Sequence, residues 1–381
     1  MTQKVIHVAM NGVTGRMGHH QHLVRSLLSI REQGGLRLDD GTILYPEPIL
    51  VGRSAERLRA MAGQHGLDRW TTSLDEVLTD AAVDVYFDAQ VTSAREVSLL
   101  KAIEAGKHVY TEKPVAGSLD GALRLAAAAK AKGITNGVVQ DKLFLPGMIK
   151  LRRLIRDGFL GRVLSVRLEF GYWVFDGDGI PSQRPSWNYR AEDGGGIMLD
   201  MFPHWQYLLE DLFGPITAVY ARSVTHVPRR WDESGDPYDA TADDAAYAVL
   251  EFASGAVGSA NSSRAVRVNR RELLELQVDG TGGSAVAGLR NCAIQHRVST
   301  PMPVWNPDLP DPIDYPAQWT DVPDNAAFDN GFKAQWELFL AAAAQARPFA
   351  WDLAAGARGV QLASLAQQSS DEGRRIEVPA P

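Results

Sequence analysis

The sequence predicts an α/β chain in two parts: a mostly parallel, doubly wound sheet, then an α/β domain built on a large, mostly antiparallel open sheet. Three observations predict it. Short apolar runs alternate with stretches of helical periodicity as far as Val139. A glycine-rich turn directly follows the first run. From Val163 onward the runs change to residue-by-residue alternation. Strands interleaved with helices form βαβ units, whose sheet is buried on both faces, whereas strict alternation marks strands with one wet face.

The first strand is Val5 to Met10, ending at Asn11-Gly12. After the turn, His22, Leu23, Ser26, Leu27 and Ile30 recur at helical spacing. Leu36-Arg37-Leu38 and Thr42-Ile43-Leu44 flank Asp39-Asp40-Gly41, a signal for a small inserted hairpin. A second strand is expected at Ile49-Leu50-Val51, and a helix from Ala55 to His65 closed by Gly66. Strands Val83 to Phe87, His108 to Tyr110 and Ile134 to Val139 alternate with helices Ala94 to Ala105 and Leu119 to Lys132, each stopped by glycine. The domain division falls at 1–143 and 144–381.

In the second part, Ile149 to Asp157 reads as a helix. Val163 to Phe170 alternates, with Leu164, Val166, Leu168 and Phe170 on one side. Further strands are expected at Ile216 to Arg222, Ala245 to Phe252, Gly258 to Ser263 and Glu272 to Asp279. Helices are expected at Ile197 to Leu212, Phe332 to Ala344 and Ala354 to Gln367. Thr300 to Asp329 is proline-rich and reads as a surface wrap.

The chain has 381 residues, 45% of them apolar and 22% charged, an ordinary globular balance. That excludes a disordered tail, a collagen and a coiled coil. Lys+Arg 39 against Asp+Glu 46 leaves a net charge of −7, which argues against nucleic acid as a partner. The single cysteine, Cys292, excludes a disulfide framework and a cysteine-built zinc site. No apolar run approaches the ~20 residues that cross a bilayer, and no leader pattern precedes the first strand. A soluble, cytoplasmic protein without a membrane partner is expected.

Three places carry chemistry. Gly12-Val13-Thr14-Gly15-Arg16-Met17-Gly18 stands where a doubly wound sheet places a phosphate, on glycine backbone and a helix N-terminus. The tip of the second strand, Gly52-Arg53-Ser54, holds a guanidinium and a hydroxyl where NAD binders place a carboxylate. That favours NADP(H) over NAD(H), with Arg16 also in reach of the 2′-phosphate. Tyr110-Thr111-Glu112-Lys113-Pro114 puts a lysine at the carboxyl end of a strand, at the ligand crevice. Downstream of Gly194-Gly195-Gly196, Asp200 and His204 stand i and i+4 on one helix face, where a carboxylate can orient an imidazole for proton exchange. No third ligand at useful spacing joins them, so no metal is expected.

Glu104 to Val109 leading into Glu112-Lys113-Pro114, the glycine triplet leading into Asp200 and His204, Leu276 to Ser284, and Gly373 to Val378 together resemble the Gfo/Idh/MocA family of nicotinamide-dependent oxidoreductases. The resemblance covers nearly the whole chain. It implies a Rossmann dinucleotide-binding domain followed by a substrate-binding α/β domain through whose open sheet the chain forms a homodimer or homotetramer. It puts the family's catalytic lysine, aspartate and histidine on Lys113, Asp200 and His204. The cofactor is expected on Gly12, Thr14, Gly15, Arg16, Met17, Gly18, Arg53, Ser54, Gln90, Glu112 and Lys113. Three patterns depart from the family: Gln90-Val91-Thr92 replaces Thr-Pro-Asn, Asp141 to Pro146 replaces Asn-Arg-Arg-Phe-x-Pro, and the glycine turn from Gly12 to Gly18 looks more like that of dihydrodipicolinate reductase, which the rest of the chain does not resemble.

The implied reaction is hydride transfer at a hydroxyl or carbonyl carbon of a sugar, glycoside, keto-sugar or cyclitol. His204 exchanges the proton, Asp200 orients it, and Lys113 binds the substrate oxygen. Tyr172, Trp187, Asn188 and Arg190, in the aromatic-rich loop before the glycine triplet, are expected to join Lys113, Asp200 and His204 around the substrate. Two other readings stay open: transient use of a retained nicotinamide for glycoside cleavage or epimerisation, and a non-enzymatic cofactor sensor.

Overall fold

A computed structural model describes residues 2–171, 177, 179–181, 184–267, 272–302, 306, 308–309 and 313–380. The chain starts with β1 (Gln3–Asn11), whose alternate side chains are buried on opposite faces of a sheet. The helix after the glycine turn, α1, is wound in the wider i→i+5 pattern over Met17–Leu28 and continues as ordinary α-helix over Ser29–Glu32. Then follow β2 (Leu36–Arg37), β3 (Ile43–Val51), α2 (Ala55–His65), β4 (Trp70–Thr71), α3 (Leu74–Thr79), β5 (Val83–Asp88), α4 (Thr92–Glu104), β6 (His108–Thr111), α5 (Leu119–Lys132) and β7 (Asn136–Val138). The second series is α6 (Pro146–Arg156), β8 (Val163–Gly171), α7 (Ile197–Phe213), β9 (Ile216–Val224), β10 (Arg229–Trp231), β11 (Pro237–Asp239), β12 (Ala245–Phe252), β13 (Val257–Ser263), β14 (Leu274–Gly280), β15 (Gly283–Ala287), β16 (Cys292–His296), β17 (Thr320–Asp321), α8 (Gly331–Ala344), α9 (Leu353–Glu372) and β18 (Ile376–Glu377).

Two compact units form. One contains 1–144, 190–207 and 329–364; the other contains 145–189, 208–328 and 365–381. The chain therefore crosses between them five times, because segments late in the sequence fold onto the N-terminal sheet.

The first unit is the Rossmann-type domain. Its strand order is β2-β3-β1-β5-β6-β7, with β4 on β3, and every pairing except β2–β3 is parallel. The order reverses between β1 and β5, so the ligand crevice opens at their carboxyl ends. One face buries Val8, Met10, Val85, Phe87 and Tyr110 against Leu23 and Leu27 of α1 and Trp336, Phe339 and Leu340 of α8. The other buries Ala9, Tyr86 and Val109 against Leu99 of α4, Leu125 of α5 and Val360 of α9. Each fully buried Leu, Val or Phe is worth about 1.5–3 kcal/mol. The expected hairpin is present, with Leu36 opposite Leu44 and Arg37 opposite Ile43.

The second strand is nine residues long, rather than the three expected. Pro46 and Pro48 disguise it, yet both fit. Leu50 donates its N–H away from β1, to Arg69. Pro46 and Pro48 are in the same phase, so their missing N–H groups fall in the stretch of edge between β2 and β4.

The second unit holds a nine-stranded sheet, order β17-β16-β15-β14-β8-β13-β12-β9-β18, antiparallel except for β8–β13. One face is buried; the other exposes Tyr220, Tyr247, Val249 and Val257, with Tyr220 directly opposite Val249. Buried Arg230 binds buried Asp244 at 2.8 Å and lies 3.8 Å from the Tyr189 ring centroid. Among the described residues no helix is long and apolar enough to cross a membrane.

Candidate active site

Gly12 ends β1 at φ +79°, and a Cβ there would stand 2.6 Å from the Ala89 carbonyl carbon and 2.7 Å from the Gln90 nitrogen. Only glycine lets the turn lie this close to the end of β5. A Cβ on Gly18 would stand 2.7 Å from the Gly12 oxygen. Gly15 closes the turn onto Gly12 at 3.1 Å, and no side chain caps the following helix at Arg16. These helix-end donors, with Thr14, Gly15, Arg16 and Met17 around them, suit a dinucleotide pyrophosphate.

At the tip of β3, the Ser54 hydroxyl caps α2 by accepting the Arg57 N–H at 3.3 Å. Arg53 is exposed. Arg57, which no local motif marks, reaches the glycine turn and donates to the Thr14 carbonyl at 3.2 Å. No carboxylate occupies Gly52-Arg53-Ser54.

Gln90 sits beside Gly12, its N–H on Asp88 at 3.0 Å and its side-chain oxygen on Ser98 at 2.8 Å. Asp88 is fully buried; burial raises its pKa against the opposing pull of Arg95, whose Nε lies 3.2 Å away. Arg95 also donates to the Pro114 carbonyl, so α4 fixes the segment after Lys113.

Glu112 is buried and both of its oxygens are used inside the protein. One accepts from His22 Nε2 at 2.8 Å and the other from the Lys113 N–H at 3.0 Å. Burial pushes its pKa up, but the His22 hydrogen bond and the Lys113 and Arg95 charges hold it below the ordinary value. Glu112 thus shapes the Lys113 backbone.

Gly194 and Gly196, at φ +77° and +113°, turn the chain into α7, and Asp200 falls in its first turn. Lys113 Nζ donates to Asp200 Oδ1 at 2.6 Å and to the Asp200 carbonyl at 2.9 Å. At Asp200 the Oδ1 contact is with the lysine, and His204 Nδ1 lies 2.6 Å from the Tyr207 hydroxyl. That hydroxyl in turn meets Asp141 at 3.3 Å. The helix face shared by Asp200 and His204 is as expected, but it borders two neighbours that spacing does not reveal.

Arg190 belongs with Lys113, Asp200 and His204 in the first unit, and its carbonyl accepts from Gly195 at 2.9 Å. Trp187 and Asn188 belong to the second unit. Asn188 is 3% exposed, with its amide engaged by Arg184 at 2.9 Å and Pro185 at 3.1 Å, so it ties its own loop together. Tyr172 lies outside the described residues. Among the described residues no group of three or more His, Cys, Asp or Glu side chains could hold a metal ion.

Residues 6–139 match the oxidoreductase family with an NAD-binding Rossmann fold, and 148–286 match the GFO/IDH/MocA C-terminal domain. A D-xylose dehydrogenase from Paenarthrobacter nicotinovorans is 55% identical over 98% of both chains. A levoglucosan dehydrogenase from Pseudarthrobacter phenanthrenivorans is 27% identical over 61% of both. Among solved structures, levoglucosan dehydrogenase in complex with NADH and levoglucosan superposes with TM-score 0.82 at 20% identity, covering 99% of this chain and 100% of that one. An oxidoreductase domain protein from Kribbella flavida gives 0.80 at 25% identity, with 100% of each covered. Kinship at that level with the first relative, over almost the full length of both, places this chain in the GFO/IDH/MocA family of oxidoreductases.

Proposed function

We propose that the protein is an NADP(H)-preferring sugar dehydrogenase that interconverts a hydroxyl and a carbonyl on an aldose of the D-xylose type. The observation that carries this reading is the Lys113 ammonium, fixed 2.6 Å from the Asp200 carboxylate, with His204 one turn along the same helix. The name of the relative from Paenarthrobacter nicotinovorans supports the substrate class.

The glycine turn, Arg53, Ser54, Arg57 and Gln90 would hold the cofactor. When bound, its nicotinamide supplies the hydride acceptor. Lys113 donates to the substrate oxygen and stabilises the negative charge that grows there, and Asp200 keeps the ammonium aimed. His204 takes the hydroxyl proton during oxidation and returns it during reduction. The preference for a 2′-phosphate rests on the missing carboxylate at the β3 tip and on the two arginines. We further read the exposed apolar stripe on the second sheet as the surface through which copies assemble as homodimers or homotetramers.

The test is a panel of D-xylose, other aldoses, cyclitols and keto-glycosides, each with NAD⁺ and NADP⁺. Reduced cofactor should form fastest with an aldose and NADP⁺. Turnover without net reduced cofactor, or no turnover with any sugar, would overturn the reading.

A further inference from the structure

An imidazole can accept a proton only at the nitrogen that does not already carry one, so a histidine base needs its tautomer chosen for it. His204 and Tyr207 stand i and i+3 on α7, close enough to meet along one face. Three groups surround the Tyr207 oxygen. His204 Nδ1 is at 2.6 Å, Asp141 Oδ1 at 3.3 Å and the Lys142 backbone nitrogen at 3.2 Å. A phenol has one hydrogen to give and two lone pairs to fill. The Lys142 N–H fills one lone pair. A carboxylate offers no hydrogen, so Tyr207 gives its own to Asp141. The remaining lone pair must then receive a hydrogen from Nδ1.

The opposite arrangement, with Tyr207 donating to Nδ1, would turn an oxygen lone pair toward Asp141 Oδ1. That arrangement is poor at this depth: Asp141, His204 and Tyr207 are only 4–6% exposed. The second Asp141 oxygen is held by Lys142 Nζ at 2.6 Å, so the carboxylate is anchored at both ends. Burial, and then the Asp141 charge, push the Tyr207 pKa far above its ordinary value, so it stays a phenol at working pH.

We propose that Asp141 and Tyr207 are positioning residues that hold neutral His204 with its hydrogen on Nδ1, making Nε2 the base, and that the Asp141 carboxylate stabilises the imidazolium that forms. The inference rests on the reading of His204 as proton acceptor. In the step itself, the substrate O–H bond breaks, the oxygen keeps the electron pair, and an N–H bond forms at Nε2. The new positive charge appears on a ring whose Nδ1 is 3.7 Å from Asp141 Oδ1. The charged groups near this relay are Lys142 beside Asp141, Glu112 within electrostatic reach of Tyr207, and Lys113 with Asp200 one turn back on α7. Asp141 thus serves the histidine, beside the Asp200 carboxylate that holds the lysine.

Histidine-selective ¹⁵N labelling of the full chain, with His204→Gln to assign the signal, reads the tautomer without any substrate. His204 should carry its hydrogen on Nδ1, and Tyr207→Phe should shift it toward Nε2. A wild-type ring with its hydrogen on Nε2 would overturn the proposal. Kinetics with D-xylose and NADP⁺ supply the second arm. Tyr207→Phe and Asp141→Asn should lower kcat about 10²-fold with cofactor Kd unchanged, at the lower end of what general acid–base help contributes. In Asp141→Asn the acid limb of the pH profile should move to lower pH, because the imidazolium loses its counter-charge. Asp141→Glu should restore part of the rate. Unchanged kcat and pH limb in both variants, with His204→Ala inactive, would sink the relay alone. An active His204→Ala would sink the underlying reading.

Discussion

The indole N–H of Trp336 donates to Nδ1 of His22 at 3.0 Å, across 314 residues of sequence. That bond puts the His22 hydrogen on Nε2, where it meets Glu112, and Glu112 holds the Lys113 N–H. A tryptophan deep in the α8 face of the core therefore sets the backbone of the candidate catalytic lysine.

Trp336→Phe keeps most of the bulk and removes the hydrogen. It should destabilise the protein by about 1–3 kcal/mol, the penalty for leaving a buried polar group unpaired. It should also lower kcat. Urea unfolding and steady-state rates check both; a variant with full stability and full rate would show that the chain of bonds is idle.

The 2.6 Å contact between Lys113 and Asp200 predicts strong coupling. Lys113→Met should slow turnover by about 10²–10³-fold, what one donor to a developing oxyanion is worth. Asp200→Asn should cost less. The double variant should be little worse than Lys113→Met alone, since Asp200 acts through the ammonium. A double-mutant cycle with additive losses would refute this.

Arg53→Asp should move cofactor preference from NADP(H) toward NAD(H), and Arg57→Ala should weaken both. Fluorescence titration of the two cofactors measures it. Tighter binding of NAD(H) by the unmodified protein would contradict the assignment.

Tyr220, Tyr247, Val249 and Val257 share one exposed sheet face. Light scattering should give a mass well above the 41.6 kDa of one chain, and Tyr220→Glu with Val249→Lys should lower it. A monomer at micromolar concentration would remove the claim.

Burial raises the Cys292 thiol to about 11. The thiolate is the reactive form, so at pH 8 native Cys292 should resist disulfide reagents until the chain unfolds. The same shift carries a sign for stability. The unfolded thiol ionises near 8.5, about the model-peptide value, while the native one keeps its proton. The thiol's contribution is therefore intact below that pH and is lost as pH rises toward the folded value. Urea midpoints across this alkaline range should fall.

Local signals were legible wherever they rest on a few neighbouring residues. Asp39-Asp40-Gly41 announces its hairpin, and Gly66 and Gly133 end their helices at φ +62° and +68°. Gly12 marks the crevice because nothing larger fits. The pairs β4/α3 and β15/β16 escaped, since runs of two to six residues carry too little periodicity. At the site, the spacing of Asp200 and His204 identifies a shared face but not what that face touches. Lys113 is 87 residues from Asp200, and Asp141 is 66 from Tyr207. Such contacts are set by how helices lie on the sheet. A Cβ on Gly359 would stand 3.0 Å from the Pro203 Cβ, a close approach of α9 to α7 that no local pattern reports.

The two prolines of β3 have a further consequence. A bare strand edge invites an incoming strand from another chain, because its unpaired N–H and C=O groups form a ready template. Between β2 and β4 that template is broken at Pro46 and Pro48. At the opposite edge, Val138 gives its N–H to the Trp351 carbonyl and Asn136 takes the Leu353 N–H, so α9 and the segment before it shield β7. The template is thus interrupted by prolines along β3 on one flank and occupied by Trp351 and Leu353 at β7 on the other, which makes this sheet a poor seed for intermolecular zipping.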